Sequence, residues 1–197
     1  YSKSISESEY LRNLGLSNQT EYNETVPAAY LSMQRELGRF NISFGVRGEQ
    51  SIVRGYSMKY SLYFIDTSYF SLFPSAKLQY TINERWSTYL SYARKISRPI
   101  YQDLDPFLWY LDSLTSIQGN SSLRPEFNHQ MEWGIGFMNY MIRSSFTFHT
   151  DPIWMVPLQG ISGSNSVVYT KLNLQRRYSG MIALDIPIES KNYSSFN

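Results

Sequence analysis

The sequence predicts an all-β, antiparallel chain of about eight meander strands, and three observations carry that prediction. Apolar and polar residues alternate with the two-residue period of a strand that has one dry face. The connections between the alternating segments are short and long in turn. No apolar run approaches the 18 residues of a membrane-spanning helix, so any crossing of a bilayer must be made by strands.

Composition narrows the class further. The 197 residues are enough for one domain, and a net charge of +2 gives no basic field to attract nucleic acid. The absence of Cys excludes disulfides and thiolate metal sites. The 17 Tyr, 11 Phe and 4 Trp suit positions that are dry at one end and wet at the other.

Residues 1–20 are polar and Ser-rich and are expected to be a loop or the end of a preceding hairpin. The strand-bearing segment is expected over 21–190, and a tail or loop over 191–197. The first strand candidate, 21–33, is apolar on both parities and holds Pro27, which cannot donate to a ladder. In the second, 40–49, Phe40, Ile42, Phe44 and Val46 oppose Asn41, Ser43, Gly45 and Arg47. The third, 74–82, repeats the pattern, and the fourth, 86–95, alternates more weakly. The fifth, 129–137, sets Met131, Trp133, Ile135 and Phe137 against Gln130, Glu132, Gly134 and Gly136. The sixth, 140–149, the seventh, 167–174, and the eighth, 178–188, follow suit.

Short turns are expected at 37–39, 83–85, 138–139 and at Gln175 and Arg176; long loops at 50–73, 96–127 and 150–166. The ionisable residues of the clearer strands share the polar parity: Arg47, Lys77, Glu132, Arg143, Lys171 and Asp185. A basic residue facing lipid at mid-bilayer costs about 2–4 kcal/mol, whereas one lining a wet lumen keeps its hydration. Alternation alone leaves a membrane barrel and a soluble β-sandwich or ligand-binding barrel equally open. Placing every long loop at one end favours the transmembrane barrel.

The stretch 96–126 organises the rest. It far exceeds the ordinary connection of about 4–6 residues. Pro99, Pro106 and Pro125 each fix a backbone angle, Gly119 and Asn120 signal a turn, and Arg98 and Glu126 bracket the ends. These read as a structural frame, with Arg98 pairing a loop carboxylate to hold the loop over a barrel rim. Trp109 and Tyr110, with Tyr101 and Asp103, are the candidate ligand contacts, because exposed aromatic rings stack on flat or sugar-like solutes.

The pieces SYARKISRPIYQDLDPF at 91–107 and GNSSLRPE at 119–126 resemble the mid-barrel signature of TonB-dependent outer-membrane receptors. LGRFNISFGVRGEQ at 37–50 and LFPSAKLQYTINERWSTYLSYAR at 72–94 are similar to the same family, in the same order. Asp105 departs from the Asn expected there, and Ser121 and Ser122 stand where Pro is common. The resemblance implies a 22-stranded barrel in the bacterial outer membrane, closed by a plug and energised by a TonB complex. This chain would supply about eight strands of it, as a fragment of the mature protein without the plug, the coupling box or the closing strand. The implied partners are outer-membrane lipid, the remainder of the barrel with its plug, the TonB complex through that plug, and a scarce solute of unknown identity.

No cofactor, metal or catalysis is expected. His129 and His149 lack the clustering of a zinc site, and nothing local brings Glu132 and Asp185 together as a carboxylate pair. The Asn-X-Ser/Thr triplets at Asn18, Asn23, Asn41, Asn120 and Asn192 are chance products of an Asn- and Ser-rich chain. The competing reading is a soluble or surface β-domain that binds carbohydrate or protein through its long loops.

Overall fold

The computed structural model describes residues 19–159 and 166–187. The expectations for 1–18, for the end of the segment at 188–190 and for the tail at 191–197 lie outside the described residues, as does part of the third long loop. The strands are β1 Thr20–Thr25, β2 Ala28–Leu37, β3 Phe40–Ser57, β4 Leu62–Thr81, β5 Trp86–Ser97, β6 Leu108–Tyr110, β7 Thr115–Gln118, β8 Glu126–Phe137, β9 Tyr140–Thr150, β10 Ile153–Gln159, β11 Val167–Asn173 and β12 Arg176–Asp185. A single helical turn, α1, covers Tyr101–Leu104.

Eight strands form one antiparallel sheet in the order β1-β3-β4-β5-β8-β9-β12, with β2 also on β3. Among the described residues this sheet does not close on itself. β1 and β2 occupy successive halves of the same edge of β3, pairing with residues 52–57 and 40–49 respectively. The interruption falls at Val26 and Pro27, where proline has no N–H to give; its carbonyl still accepts from Gln50 N–H at 3.0 Å. The expected single strand over 21–33 is therefore two strands.

Directly opposed residues share a face, so the register sorts the side chains. Phe44 faces Met33 and Ala76, then Tyr92, Met131 and Phe146 follow across the sheet. Ile135 faces Ile142, which faces Leu184. This mainly apolar face continues over every long strand. The opposite face carries Lys77, facing Ser91, which faces Glu132, which faces Ser145. Arg47, Arg143 and Asp185 belong to the same polar face.

Among the described residues the apolar face packs against no second layer. Ile182 is 79% exposed, Leu31 72% and Leu184 60%. A soluble sandwich would bury such a row; here the only buried large apolar side chains described are Val53, Leu104 and Leu123. Four basic residues do stand on the apolar face, Arg35, Arg54, Arg94 and Arg176, all within a few residues of strand ends. There a long side chain reaches polar ground. Arg94 lies 4.3 Å over the Phe127 ring and donates to Leu72 O at 2.8 Å.

Two connection expectations, one strand and one lumen residue need correction. The long loop expected at 50–73 is mostly strand: β3 runs on to Ser57 and β4 starts at Leu62, leaving a tight turn at 58–61. The face of this extension that continues the apolar row is exposed, so polar pairs such as Arg54 with Asp66 (3.3 Å) break the alternation without breaking the strands. The seventh candidate is β11, which belongs to a second, four-stranded sheet ordered β10-β11-β7-β6. Lys171 therefore leaves the polar row of the large sheet. The turn at Gln175 and Arg176 sits at the long-loop end, because Arg176 pairs with Thr150. The tight turns at the other end are those at 38–39, 82–85 and 138–139, the first through Gly38 at φ +60° and the last through Met138 at φ +52°.

Candidate solute-binding site at the loop end

The second sheet joins the two long loops. β10 and β11 form a hairpin from the connection after β9. β7, from the connection after β5, lies parallel to β11, with Val167 opposite Thr115, and β6 completes the edge. Lys171 Nζ meets Asp103 at 2.9 Å, and Asn120 Nδ2 donates to Lys171 O at 3.1 Å. Arg124 bonds Asp151 at 2.6 Å, while Asn173 accepts from Arg124 N–H and donates to Arg124 O and Asp151 O.

This module folds onto the polar face of the large sheet. Arg98 donates to Glu49 and lies 3.5 Å from Glu24; it also reaches Ser51 Oγ at 3.1 Å. Glu49, Ser51, Val53 and Ser57 on that face are all buried, and the buried Leu104 and Leu123 line a small cavity with Val53. The expected partner of Arg98, a loop carboxylate, is replaced by two strand carboxylates, which tie the loop to the wall. Pro99 and Pro125 line the same small cavity as Leu104 and Leu123. Phe107 stacks on Tyr60 of the β3–β4 turn at 5.4 Å.

Gly119 allows the closest approach in the loop. A Cβ there would fall 2.3 Å from Asp105 O and 2.8 Å from Asp103 O, so no side chain fits. Asn120 N–H donates to Asp103 O at 2.6 Å, and Gln118 Nε2 to Pro106 O at 2.8 Å. Asp105, 6% exposed, accepts the Phe107 N–H at 3.1 Å. Burial raises its pKa above the ordinary carboxylate value, against the pull of that N–H. An Asn at this position would make the same bond without a charge to desolvate.

At the loop's far end Glu126 accepts from His149 Nδ1 at 2.7 Å and, through its other oxygen, from Ile153 N–H at 3.3 Å. His149 Nε2 meets Ser179 Oγ at 3.0 Å. These bonds join β8, β9 and β12 just where β10 departs.

Beside α1 opens a cleft of about 840 Å³, lined among others by Gln19, Thr20, Tyr22, Tyr101, Gln102, Trp109 and Ile117. Tyr22 and Tyr101 stand with ring centroids 6.3 Å apart. Burial, and the Glu24 carboxylate beside it, push Tyr22 up to about 12, so its hydroxyl stays protonated and donates to Glu24. Of the four residues expected to meet a ligand, the structure brings Tyr101 and Trp109 together in this cleft. Asp103 is taken up by Lys171. Tyr110 is 68% exposed and does not line the cleft. Tyr22, Gln102 and Glu49 escaped sequence reasoning, since only the pairing of β1 with β3 and the fold of α1 bring them here.

On the polar face of the large sheet, Arg47 bonds Glu49 at 2.7 Å, Lys77 Nζ lies 4.9 Å over the Tyr89 ring, Tyr89 donates to Glu132 at 2.5 Å, and Arg143 bonds Asp185 at 2.9 Å. Glu132 and Asp185 have separate partners and form no acid–base pair.

The model of the family described as "Outer membrane protein beta-barrel family" matches residues 1–197. No curated protein matches the chain. Among solved structures, the siderophore receptor PirA from Pseudomonas aeruginosa is 14% identical with a TM-score of 0.54, over 88% of this chain and 41% of its own. The Serratia marcescens hemophore receptor HasR, solved with hemophore HasA and heme, is 12% identical with a TM-score of 0.62, over 84% and 32%. The copper transporter OprC is 12% identical with a TM-score of 0.59, over 83% and 26%. At these identities the likeness is one of fold, and the chain spans between about a quarter and two-fifths of those proteins' length.

Proposed function

The chain belongs to the outer membrane protein beta-barrel family, and on that premise we propose that it forms the middle of a TonB-dependent receptor that binds a scarce solute and imports it. Its strands lie in the bacterial outer membrane. The apolar face meets lipid; the polar face, with Arg47, Lys77, Glu132, Arg143 and Asp185, lines the lumen and offers charges to a plug. The short turns face the periplasm and the merged loops face outward.

One observation carries the reading. The loop module packs on the polar face, with Arg98 held by Glu49 and Leu104 against Val53, so it covers the inner wall at the outer mouth. A loop there narrows the opening and presents its cleft to whatever arrives from outside. The remaining strands, the plug and the TonB complex complete the transporter.

The test uses the full-length protein with its own plug. Cells carrying it are expected to accumulate a labelled solute from a mixed panel of ferric chelates, vitamins and oligosaccharides only while the TonB complex is intact. Accumulation that is the same with and without that complex, for every solute, overturns the reading.

A further inference from the structure

We propose that the cleft beside α1 takes a neutral, hydroxyl-bearing ring solute of the saccharide class. This rests on the receptor reading above and names the chemistry of its ligand. Two rings stand open at the cleft, Tyr101 at 51% and Trp109 at 62% exposure. The C–H face of a sugar ring gains dispersion and buried apolar area against such surfaces.

Apart from Asp105, the hydrogen-bonding side chains that line the cleft are uncharged. Gln102 Nε2 donates to the Tyr101 hydroxyl at 2.9 Å, which fixes the amide and aims its carbonyl oxygen elsewhere, as an acceptor for a solute hydroxyl. Gln19 and Thr20 add further donors and acceptors to the lining.

Charge decides between ligand classes. Among the described residues no Lys or Arg lines the cleft. Arg98, which shares a separate small cavity with Tyr22, is committed to Glu49 and Glu24, and Lys171 to Asp103. The one carboxylate at the cleft, Asp105, is almost fully buried and bonded to Phe107 N–H. An anionic chelate or a carboxylated porphyrin would shed hydration here with no cation among the described lining residues to receive it. A polyol exchanges water for amide and phenol partners of similar strength, and stacks besides.

The experiment is calorimetric titration of the purified full-length protein with malto-, cello-, xylo- and mannohexaose, beside a ferric tricatecholate as the anionic comparator. At least one hexaose is expected to bind. Its Kd should rise about tenfold in Trp109→Ala and return to within about twofold in Trp109→Phe, which keeps a stacking ring. Binding of no hexaose, binding indifferent to both Trp109→Ala and Tyr101→Ala, or Trp109-dependent binding of the tricatecholate alone overturns the assignment. The titration needs no energy source. A protein that binds no hexaose yet accumulates a solute through the TonB complex overturns the saccharide class and leaves the receptor reading intact.

Discussion

The ring of Tyr89 on β5 lies on Gly134, its direct register partner on β8: a Cβ at Gly134 would fall 2.3 Å from Tyr89 Cε1. The missing side chain makes room for the ring, and the hydroxyl then reaches Glu132. Gly134→Ala should displace the ring and destabilise the barrel by about 1–3 kcal/mol. Tyr89→Phe keeps the packing, loses the bond to Glu132, and should cost about 0.5–1.5 kcal/mol. Urea unfolding of the full-length protein in lipid vesicles reads both.

Arg98 is the main tie between the long loop and the wall. Removing it leaves Glu49, 4% exposed, with Arg47 as its remaining charged partner. Arg98→Ala is expected to cost about 1–3 kcal/mol of loop docking, the loss of charged hydrogen bonds from a carboxylate that Arg47 still partly compensates. Arg98→Lys should recover little, because one ammonium cannot span Glu49, Glu24 and Ser51. Limited proteolysis within 99–125 checks this: cleavage should accelerate strongly in both variants while the strands stay protected.

Which of these features could be read in the sequence follows from how local they are. The alternation at 40–49 and 129–137 found its strands because lipid on one face and water on the other write period two directly into the residues. Pro27 weakened the single candidate at 21–33 without showing that it is two strands, both on β3. Val168, Leu172 and Leu174 alternate as well as any membrane strand, yet β11 pairs with β10 and β7 instead; partner choice is non-local and leaves no mark in seven residues. The extension of β3 was hidden because, beyond the bilayer, Arg54 and Asp66 occupy the parity that lipid had kept apolar. Arg98 was recognised as a tie, but its partner Glu49 lies 49 positions away.

The ion pair of Lys171 with Asp103 joins the two long loops, with side chains 30% and 14% exposed. Partial exposure screens it, so a coupling of only about 0.5–1.5 kcal/mol is expected. A double-mutant cycle with Lys171→Met and Asp103→Asn, read by hydrogen exchange in β7 and β11, measures it. Additive effects would show that the shared sheet holds the loops together without the pair.

Asp105 gives the loop a pH dependence. Its folded pKa is raised, so its contribution to stability is fully present below the unfolded carboxyl value of about 3.9 and is lost as pH rises through the raised one. Amides of 102–107 should therefore exchange more slowly at acid pH, after correction for intrinsic rates. Asp105→Asn should hold the slow rate across the same range. A wild-type profile as flat as that of the Asn variant would contradict it.

The central claim is that one face of the large sheet meets hydrocarbon and the other does not. These 197 residues contain no Cys, so a cysteine placed in them is unique within this segment. Fluorophores attached to Phe44→Cys, Ile135→Cys and Leu184→Cys in the full-length protein, reconstituted in brominated lipid, should be strongly quenched, and those at Lys77→Cys and Glu132→Cys should not. Equal quenching of the two sets, or quenching of the second set alone, would contradict the account.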